Sequence, residues 1–466
     1  MSGRLRRWRP ASALLLLTLA STGCPNREVP PPHHARSDVV WLTICTLRAD
    51  HVGAYGGEGA ETPSLDALAE RGVLFENTLS PAPSTRSSVA ATITGLSPRA
   101  LNLREIFQAR NDRALHESFE TLAEILQAAG YTTIGVTADP DVGALYGFAQ
   151  GYDFFWNPTL PTWHATDPTV KTPGDGINAR LLMRLHELDD DERFFAHLVY
   201  SDVHSPLRVG VATAKLGPIA HERATLIDYY DQQVTYVDAV IGDLLDSLDA
   251  LGRRDLLVVV TADHGEGFGD SHKTDSNHGS HLFNSTLWVP FVVAHPGLSR
   301  AGARVETLVE LVDLVPTVLD VLELPVPDGL AGRSLAAWLR EGPPPPRPDF
   351  AISETSHHQV NRSAILRDDW KLIVDFELSP GSDTPRIVDR FLFPYRREPR
   401  EQWDYSDQKL TLTNELTDLL RSWQRDSAPR VSDDEARAPL DDATRKRIEA
   451  IKSDPGRSGQ RRARAS

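Results

Sequence analysis

Short runs of consecutive apolar, mostly β-branched residues alternate along the chain with longer stretches in which apolar residues recur every three or four positions. The clearest run is Leu256-Leu-Val-Val-Val260, which reads as a strand buried on both faces. Val39-Val-Trp-Leu-Thr-Ile44 repeats the pattern, as does Phe-Phe-Ala-His-Leu-Val over residues 194–199. Between these runs, Val234, Val237, Ile241, Leu244, Leu245 and Leu248 fall at helical spacing, and Gly252 stands just past the end. Another helix opens at Thr62-Pro63-Ser64, with Ser64 as its cap and Leu65, Leu68 and Ala69 as its apolar stripe. This alternation of strand and helix predicts an α/β fold, with a mostly parallel central sheet flanked by helices.

Pro343-Pro-Pro-Pro346 interrupts the pattern. Beyond it lie strand-like Ser363-Ala-Ile-Leu366 and Lys371-Leu-Ile-Val374, then a helix around Leu416 to Trp423, which together predict a small C-terminal α+β subdomain. After Asp426 the composition turns charged and poor in apolar residues, which predicts a disordered tail over 427–466. The start reads as an export signal over residues 1–24: Arg4, Arg6, Arg7 and Arg9 precede an apolar stretch from Ala11 to Ala20. Ser21-Thr22-Gly23 before Cys24 is similar to a bacterial lipoprotein processing site, which predicts a periplasmic, outer-membrane or extracellular protein with a lipid anchor. Residues 25–37 then form a linker, and 38–342 the main domain. With Cys24 lipidated or removed, Cys45 is the remaining cysteine, so no intramolecular disulfide forms. The formal charge of −16 argues against nucleic acid as a partner.

The chemistry gathers at the carboxyl ends of the predicted strands, where open α/β sheets bind their ligands. Leu256–Val260 runs into Thr-Ala-Asp263-His264-Gly265, and Val39–Ile44 runs into Cys45. A carboxylate beside an imidazole offers one hard and one borderline ligand, suited to Zn²⁺ or Mn²⁺. An Asp-Gly turn carrying a surface histidine would give the same triplet.

Longer motifs decide between those readings. The runs TLRADHVGAYG, TPSLDALAERGVLFENTLS and ATITGLSP, between Thr43 and the Gly95 region, resemble the N-terminal signature of the sulfatase family in the alkaline phosphatase superfamily. The similarity continues through Thr121 to Tyr131, Gly147 to Asp153, Asp202-Val-His204-Ser-Pro206 and Tyr236-Val-Asp238. It takes in the Asp263-His264 block, Leu311 to Thr317 and Leu330 to Leu335, and runs weakly to Trp370-Lys-Leu372. The resemblance implies an alkaline-phosphatase-like sheet and a metal-dependent hydrolase or transferase of sulfate, phosphate or phosphonate esters. Such substrates would be small molecules, glycans or lipids.

Register to Thr94-Gly95 puts the family's nucleophile position on Thr85, just before a helix over Ser87 to Ile93; a plain helix-capping hydroxyl is the simpler alternative. By resemblance, Asp263 and His264 are metal ligands, and His204 and His278 are catalytic and substrate-binding histidines, with His272 and His281 as competitors of His278. The departures are equally specific. The formylglycine motif needs cysteine or serine, then proline two residues on and arginine four residues on; here those positions hold Thr85, Ser87 and Val89. Threonine cannot be oxidised to formylglycine. The family's first metal aspartate is replaced by Cys45, whose thiolate suits Zn²⁺ but is a poor ligand for Ca²⁺ or Mg²⁺, so Zn²⁺ or Mn²⁺ is the expected ion. If the site is an intact scaffold missing one hard ligand, Cys45→Asp should raise affinity for Ca²⁺, Mg²⁺ or Mn²⁺; if it has become a Zn²⁺ site, the same change should weaken Zn²⁺ binding. The losses at 45 and 89 also permit a second reading, a degraded relative that binds an anionic glycan or lipid without turnover.

Overall fold

The computed structural model of the chain describes residues 37–104, 113–158, 172–204, 223–272, 277–298, 300–340, 350–357, 360–377 and 385–437. The expected signal with Cys24, the linker to residue 36, Ser205-Pro206 and the tail beyond Arg437 lie outside them.

The first half runs β1 (Asp38–Ile44), α1 (Pro63–Arg71), β2 (Gly72–Leu79), α2 (Thr85–Thr94), α3 (Leu122–Ala128), β3 (Thr132–Thr137), β4 (Phe154–Trp156), α4 (Gly174–Leu185) and β5 (Phe194–Tyr200). There follow α5 (Arg223–Ala250), β6 (Leu256–Thr261), α6 (Asn284–Leu287), β7 (Trp288–Val289), β8 (Phe291–Ala294), β9 (Ala303–Glu310), α7 (Leu314–Val321) and α8 (Ala336–Leu339). All these strands belong to one sheet, in which β4-β3-β5-β1-β6 are successive parallel neighbours. Beyond β6 the direction changes: β8 pairs antiparallel with both β6 and β2, while β9 runs parallel to β2.

Both faces of this sheet are covered, which is why its central strands are buried at every position and mostly apolar rather than alternating. On β1, Val39 and Trp41 face the core formed with α2, α3 and α7, while Val40, Leu42 and Ile44 face the core formed with α1, α4 and α5. The long α5 ends as its spacing predicts. Gly252 takes a left-handed φ of 78°, and the Arg253 N–H reaches back to the Leu248 carbonyl.

A second, antiparallel sheet follows in the order β10 (Ala351–His357), β11 (Val360–Arg367), β12 (Trp370–Glu377), β13 (Arg386–Phe393). The helix α9 (Leu410–Asp426) lays Leu416 and Leu420 on Ile365, Leu372 and Val374 of this sheet.

Two expectations are corrected. The helix α1 starts at Pro63, so Thr62 holds the cap position and Ser64 lies inside the first turn. Its free N–H groups at Ser64 and Leu65 are taken at 3.0 and 2.8 Å by the Asp238 carboxylate of α5, a tertiary cap that local spacing does not reveal. Residues 428–437, assigned by composition to the disordered tail, pack against the main domain. Val431 and Ala436 are buried, Arg430 N–H donates to the Ala100 carbonyl, and Asp433 accepts from Asn102 and Arg113. Most of that anchorage is polar, so apolar content misses it.

Candidate active site

The parallel strands β3, β5, β1 and β6 all end at one edge of the sheet, and each carries a polar or ionisable side chain within two residues of its end. In order across the sheet these are Asp139, Ser201, Cys45 and Asp263. The helix α2 points its N-terminus at this row. All ten of its residues are buried, and Thr92 and Thr94 satisfy their hydroxyls on the carbonyls of Ser88 and Ala90. Ser88 and Ser80 both donate to the Asp263 carbonyl, at 2.6 and 2.5 Å, which ties the first turn of α2 to the end of β6.

Thr85 is the first residue of α2, with Ser84 at the cap position, so the capping alternative for Thr85 does not describe its geometry. Its hydroxyl lies instead 3.2 Å from His264 Nε2. The other nitrogen of that ring, Nδ1, donates to the Gly265 carbonyl at 2.8 Å; a carbonyl can only accept, so Nε2 carries the lone pair in the neutral ring. Burial holds the His264 pKa below its ordinary value, against the opposing charge of Asp263, which favours that neutral form. Gly265 itself is required by close approach: a Cβ there would lie 2.1 Å from the Ser285 carbonyl oxygen.

Asp263 accepts at Oδ1 from the Thr46 and His264 N–H groups, at 2.9 and 2.8 Å. Its Oδ2 is buried, has no hydrogen-bond donor among the described residues, and lies 3.4 Å from His264 Nε2. A buried carboxylate oxygen left without a donor is costly unless a cation offsets it. Ligands of one ion with bonds of about 2.0–2.2 Å sit roughly 3 Å or somewhat more apart, so Asp263 Oδ2, His264 Nε2 and Thr85 Oγ1 fit a divalent cation. Among the described residues no three His, Cys, Asp or Glu side chains gather into a cage; the converging set includes the threonine hydroxyl. Cys45 is fully buried, and its sulfur lies 3.8 Å from Asp139 Oδ2 and 3.9 Å from Ser201 Oγ. It is joined to the Asp263 set through Thr46, whose N–H serves Asp263 and whose φ of 62° is unusual for a β-branched residue.

His278 stacks obliquely on His264 with ring centroids 4.6 Å apart, and His204 meets it edge-on at 4.9 Å. Both predicted histidines therefore belong to the same group. Glu266 holds His278 Nδ1 at 3.1 Å. Burial pulls the His278 pKa down, but the Glu266 carboxylate, with smaller help from Asp263 and Asp139, leaves it above the ordinary value. The competitors stand elsewhere: His272 bonds the Gln402 carbonyl beside Phe391 and Phe393, and His281 stacks on Phe283. Val89, at the family's arginine position, is buried in the apolar core. Arg86 points away from the histidines, paired with Asp141 and lying over the Tyr146 ring.

Sequence reasoning missed Asp139, Ser201 and Glu266. Glu266 stands inside the block that identified Asp263 and His264, and Ser201 directly after a predicted strand. Asp139 follows Thr132-Thr-Ile-Gly-Val-Thr137, a run broken by Gly135, which weakens a strand reading. In the fold Gly135 is where the Phe155 ring packs, 2.6 Å from where a Cβ would stand.

Comparison with known proteins follows this geometry. The sequence profile described as Sulfatase matches residues 37–324. The chain is 25% identical over 382 residues to an ulvan-active sulfatase of Formosa agariphila, covering 74% of this chain and 73% of the relative. It is 26% identical over 345 residues to a Δ4,5-hexuronate-2-O-sulfatase of Bacteroides thetaiotaomicron, covering 63% and 71%. Among solved structures, the phosphonate monoester hydrolase of Agrobacterium radiobacter superposes with a TM-score of 0.68 at 19% identity, over 84% of this chain and 96% of that one.

Proposed function

The chain belongs to the sulfatase family, and from that premise we propose that it is a metal-dependent hydrolase of sulfate, phosphate or phosphonate esters whose nucleophile is the Thr85 hydroxyl. The observation that carries this reading is the 3.2 Å approach of Thr85 Oγ1 to the unprotonated nitrogen of His264, at the N-terminus of a buried helix. Thr85 Oγ1, Asp263 Oδ2 and His264 Nε2 would hold the cation. When bound, the ion supplies positive charge for the oxygens of the substrate and makes the hydroxyl more acidic.

The chain's own groups account for the remaining steps. The N-terminus of α2 presents backbone N–H groups and the positive end of the helix dipole to an anionic ester. Thr85 Oγ1 gives its proton to solvent and attacks sulfur or phosphorus; the bond to the leaving oxygen breaks, and that oxygen takes the proton carried by His278 Nε2. His278 carries one ring proton against Glu266 through Nδ1, and the Glu266 carboxylate raises its pKa, which favours the doubly protonated ring whose Nε2–H would serve the substrate. His204, edge-on to His278, is suited to binding the same anion. Water then cleaves the ester on Thr85 and restores the hydroxyl. Because threonine bears a methyl on Cβ, its oxidation would give a ketone and not an aldehyde, so the reading does not depend on formylglycine.

The test is turnover of aryl sulfate and aryl phosphate by the Mn²⁺- or Zn²⁺-supplemented protein. Thr85→Ala should abolish turnover, a loss of at least about 10³-fold, with the thermal midpoint little changed, since the nucleophile is removed outright. Activity retained in Thr85→Ala would move the nucleophile elsewhere. A wild type that binds the anions but turns over neither would favour the non-catalytic binder.

A further inference from the structure

His278 stands in a turn that belongs to no helix or strand, yet a misplacement of about 1 Å in a reacting group can cost about 100-fold in rate. Its neighbours Asn277 and Gly279 both take left-handed backbone, with φ of 68° and 91°, so the chain bends sharply on either side of it. The near end of the turn is secured by the loop after β6. Asn277 and Gly267 exchange backbone hydrogen bonds at 2.9 and 3.2 Å, and Glu266 holds the His278 ring. The far end is held from the second sheet.

There, the carbonyls of Gly279 and Ser280 are taken by two side chains. Thr355 Oγ1, on β10, donates to the Gly279 carbonyl at 2.7 Å, and Arg362 Nη1, on β11, donates to the Ser280 carbonyl at 2.5 Å. Thr355 and Arg362 are direct cross-strand partners, and Arg362 is in turn opposite Asp375 on β12. The Asp375 carboxylate takes Nε and Nη2 of the guanidinium, at 2.5 and 2.6 Å, which leaves Nη1 for the turn. Alternation along the strands places Thr355 on the same face as Ala351, Arg362 with Ala364 and Leu366, and Asp375 with Ile373. That face packs on Leu282, Phe283 and Leu287, which follow the turn in the chain. The other face, with Ile365, Leu372 and Val374, lies under α9. A largely apolar face thus carries a polar row of three, and the row meets the main domain at the two residues after His278. Apolar contact is non-directional and would dock the sheet without it; bonds to two consecutive carbonyls fix where the turn lies and how it is oriented.

We propose that Thr355 and Arg362 are positioning residues, through which the second sheet holds His278 against Glu266 and His264 in the geometry its proton transfer requires. The inference rests on the role of His278 as proton donor in the reading above. The second sheet then acts on the reaction without touching the substrate.

Turnover of two aryl esters separates positioning from general support of the fold. Nitrophenolate leaves readily without a proton, whereas phenolate is the stronger base and gains more from one, so a displaced donor slows the phenyl ester selectively. In the purified full chain supplemented with Mn²⁺ or Zn²⁺, Thr355→Val should lower kcat for the phenyl ester at least about 10-fold, and for the nitrophenyl ester by less than about 3-fold. Arg362→Lys keeps a positive charge beside Asp375 but lacks the fork that serves two partners, and should show the same bias. Thr355→Ser, which retains the hydroxyl, should restore both esters. Equal losses on the two esters would reduce the contacts to support of the fold and overturn the proposal. Hydrogen exchange, which does not depend on turnover, checks the hold itself. Residues 277–283 should exchange faster in Thr355→Val and Arg362→Lys, and at the wild-type rate in Thr355→Ser. Wild-type exchange in both of the first two would also overturn the proposal. If Thr355→Val unfolds at the assay temperature, Arg362→Lys decides by the same outcomes. A wild type that turns over neither ester would end the hydrolase reading, a result distinct from failure of the hold, which exchange then decides alone.

Discussion

His197 illustrates how much a single buried residue sets the conditions under which the fold survives. Its ring stacks on Trp41 at 3.9 Å, with Nε2 facing Thr43 Oγ1 and Nδ1 facing the Tyr152 hydroxyl. Burial pushes its pKa down to about 3. In the unfolded chain the same ring titrates near 6.5. Between those two values the unfolded chain binds a proton that the folded chain refuses, so stability is lost as pH falls below about 6.5 and is unaffected above it. The expected slope from this one group approaches about 1.4 kcal/mol per pH unit. Urea unfolding at pH 7, 6 and 5 should show the acid loss in the wild type and a flatter dependence in His197→Gln, whatever the variant's absolute stability.

At the scale of elements, the helices are positioned by polar contacts that cross from one segment to another. The start of α1 is capped by Asp238 from the middle of α5, while Thr62, at its local cap position, is occupied with the Gly53 N–H and the Asp66 carboxylate. Asp238→Ala should therefore destabilise the protein by about 1–2 kcal/mol, as loss of a helix cap does, measured as a shift of the urea midpoint at constant m-value. An unchanged midpoint would mean that water replaces the carboxylate. Asp263 works in the same way on α2. Its backbone carbonyl anchors Ser88 and Ser80, while its carboxylate accepts from the Thr46 and His264 N–H groups, so one residue ties α2 to the ends of both β1 and β6.

At the scale of the molecule, a buried charge pair beside the second sheet grips Asn284 of α6, in the segment that leads into β7 of the first. Lys371 on β12 and Glu401 are both fully buried and meet at 2.6 Å. Lys371 also donates to Asn284 Oδ1, and Glu401 accepts the Asn284 N–H at the start of α6. Lys371→Ala removes the cation beside the buried Glu401 carboxylate and should cost about 3–5 kcal/mol, read as a drop in unfolding free energy. A loss below about 1 kcal/mol would show that the pair contributes little. Outside the described residues, the export reading makes its own prediction. Wild type should fractionate with membranes, and Cys24→Ala should move to the soluble fraction; equal solubility of the two would leave an ordinary signal peptide.

Much of this protein can be read from local pattern. Strands buried on both faces are mostly apolar along their length, so β1, β5 and β6 stand out in the sequence, and so do the polar residues at the ends of β1 and β6, Cys45 and Asp263. The register of motifs also groups Thr85, His264, His204 and His278, which the fold brings together. What pattern does not carry is the order of strands across the sheet, because parallel neighbours are joined by crossovers and need not be neighbours in the chain. Here β3, β5, β1 and β6 lie side by side. Only that order brings Asp139 and Ser201 to Cys45, over 94 and 156 residues of chain. The identity of the groups is a property of sequence; which of them share a dielectric and a charge is decided by the packing of strands about 4.8 Å apart.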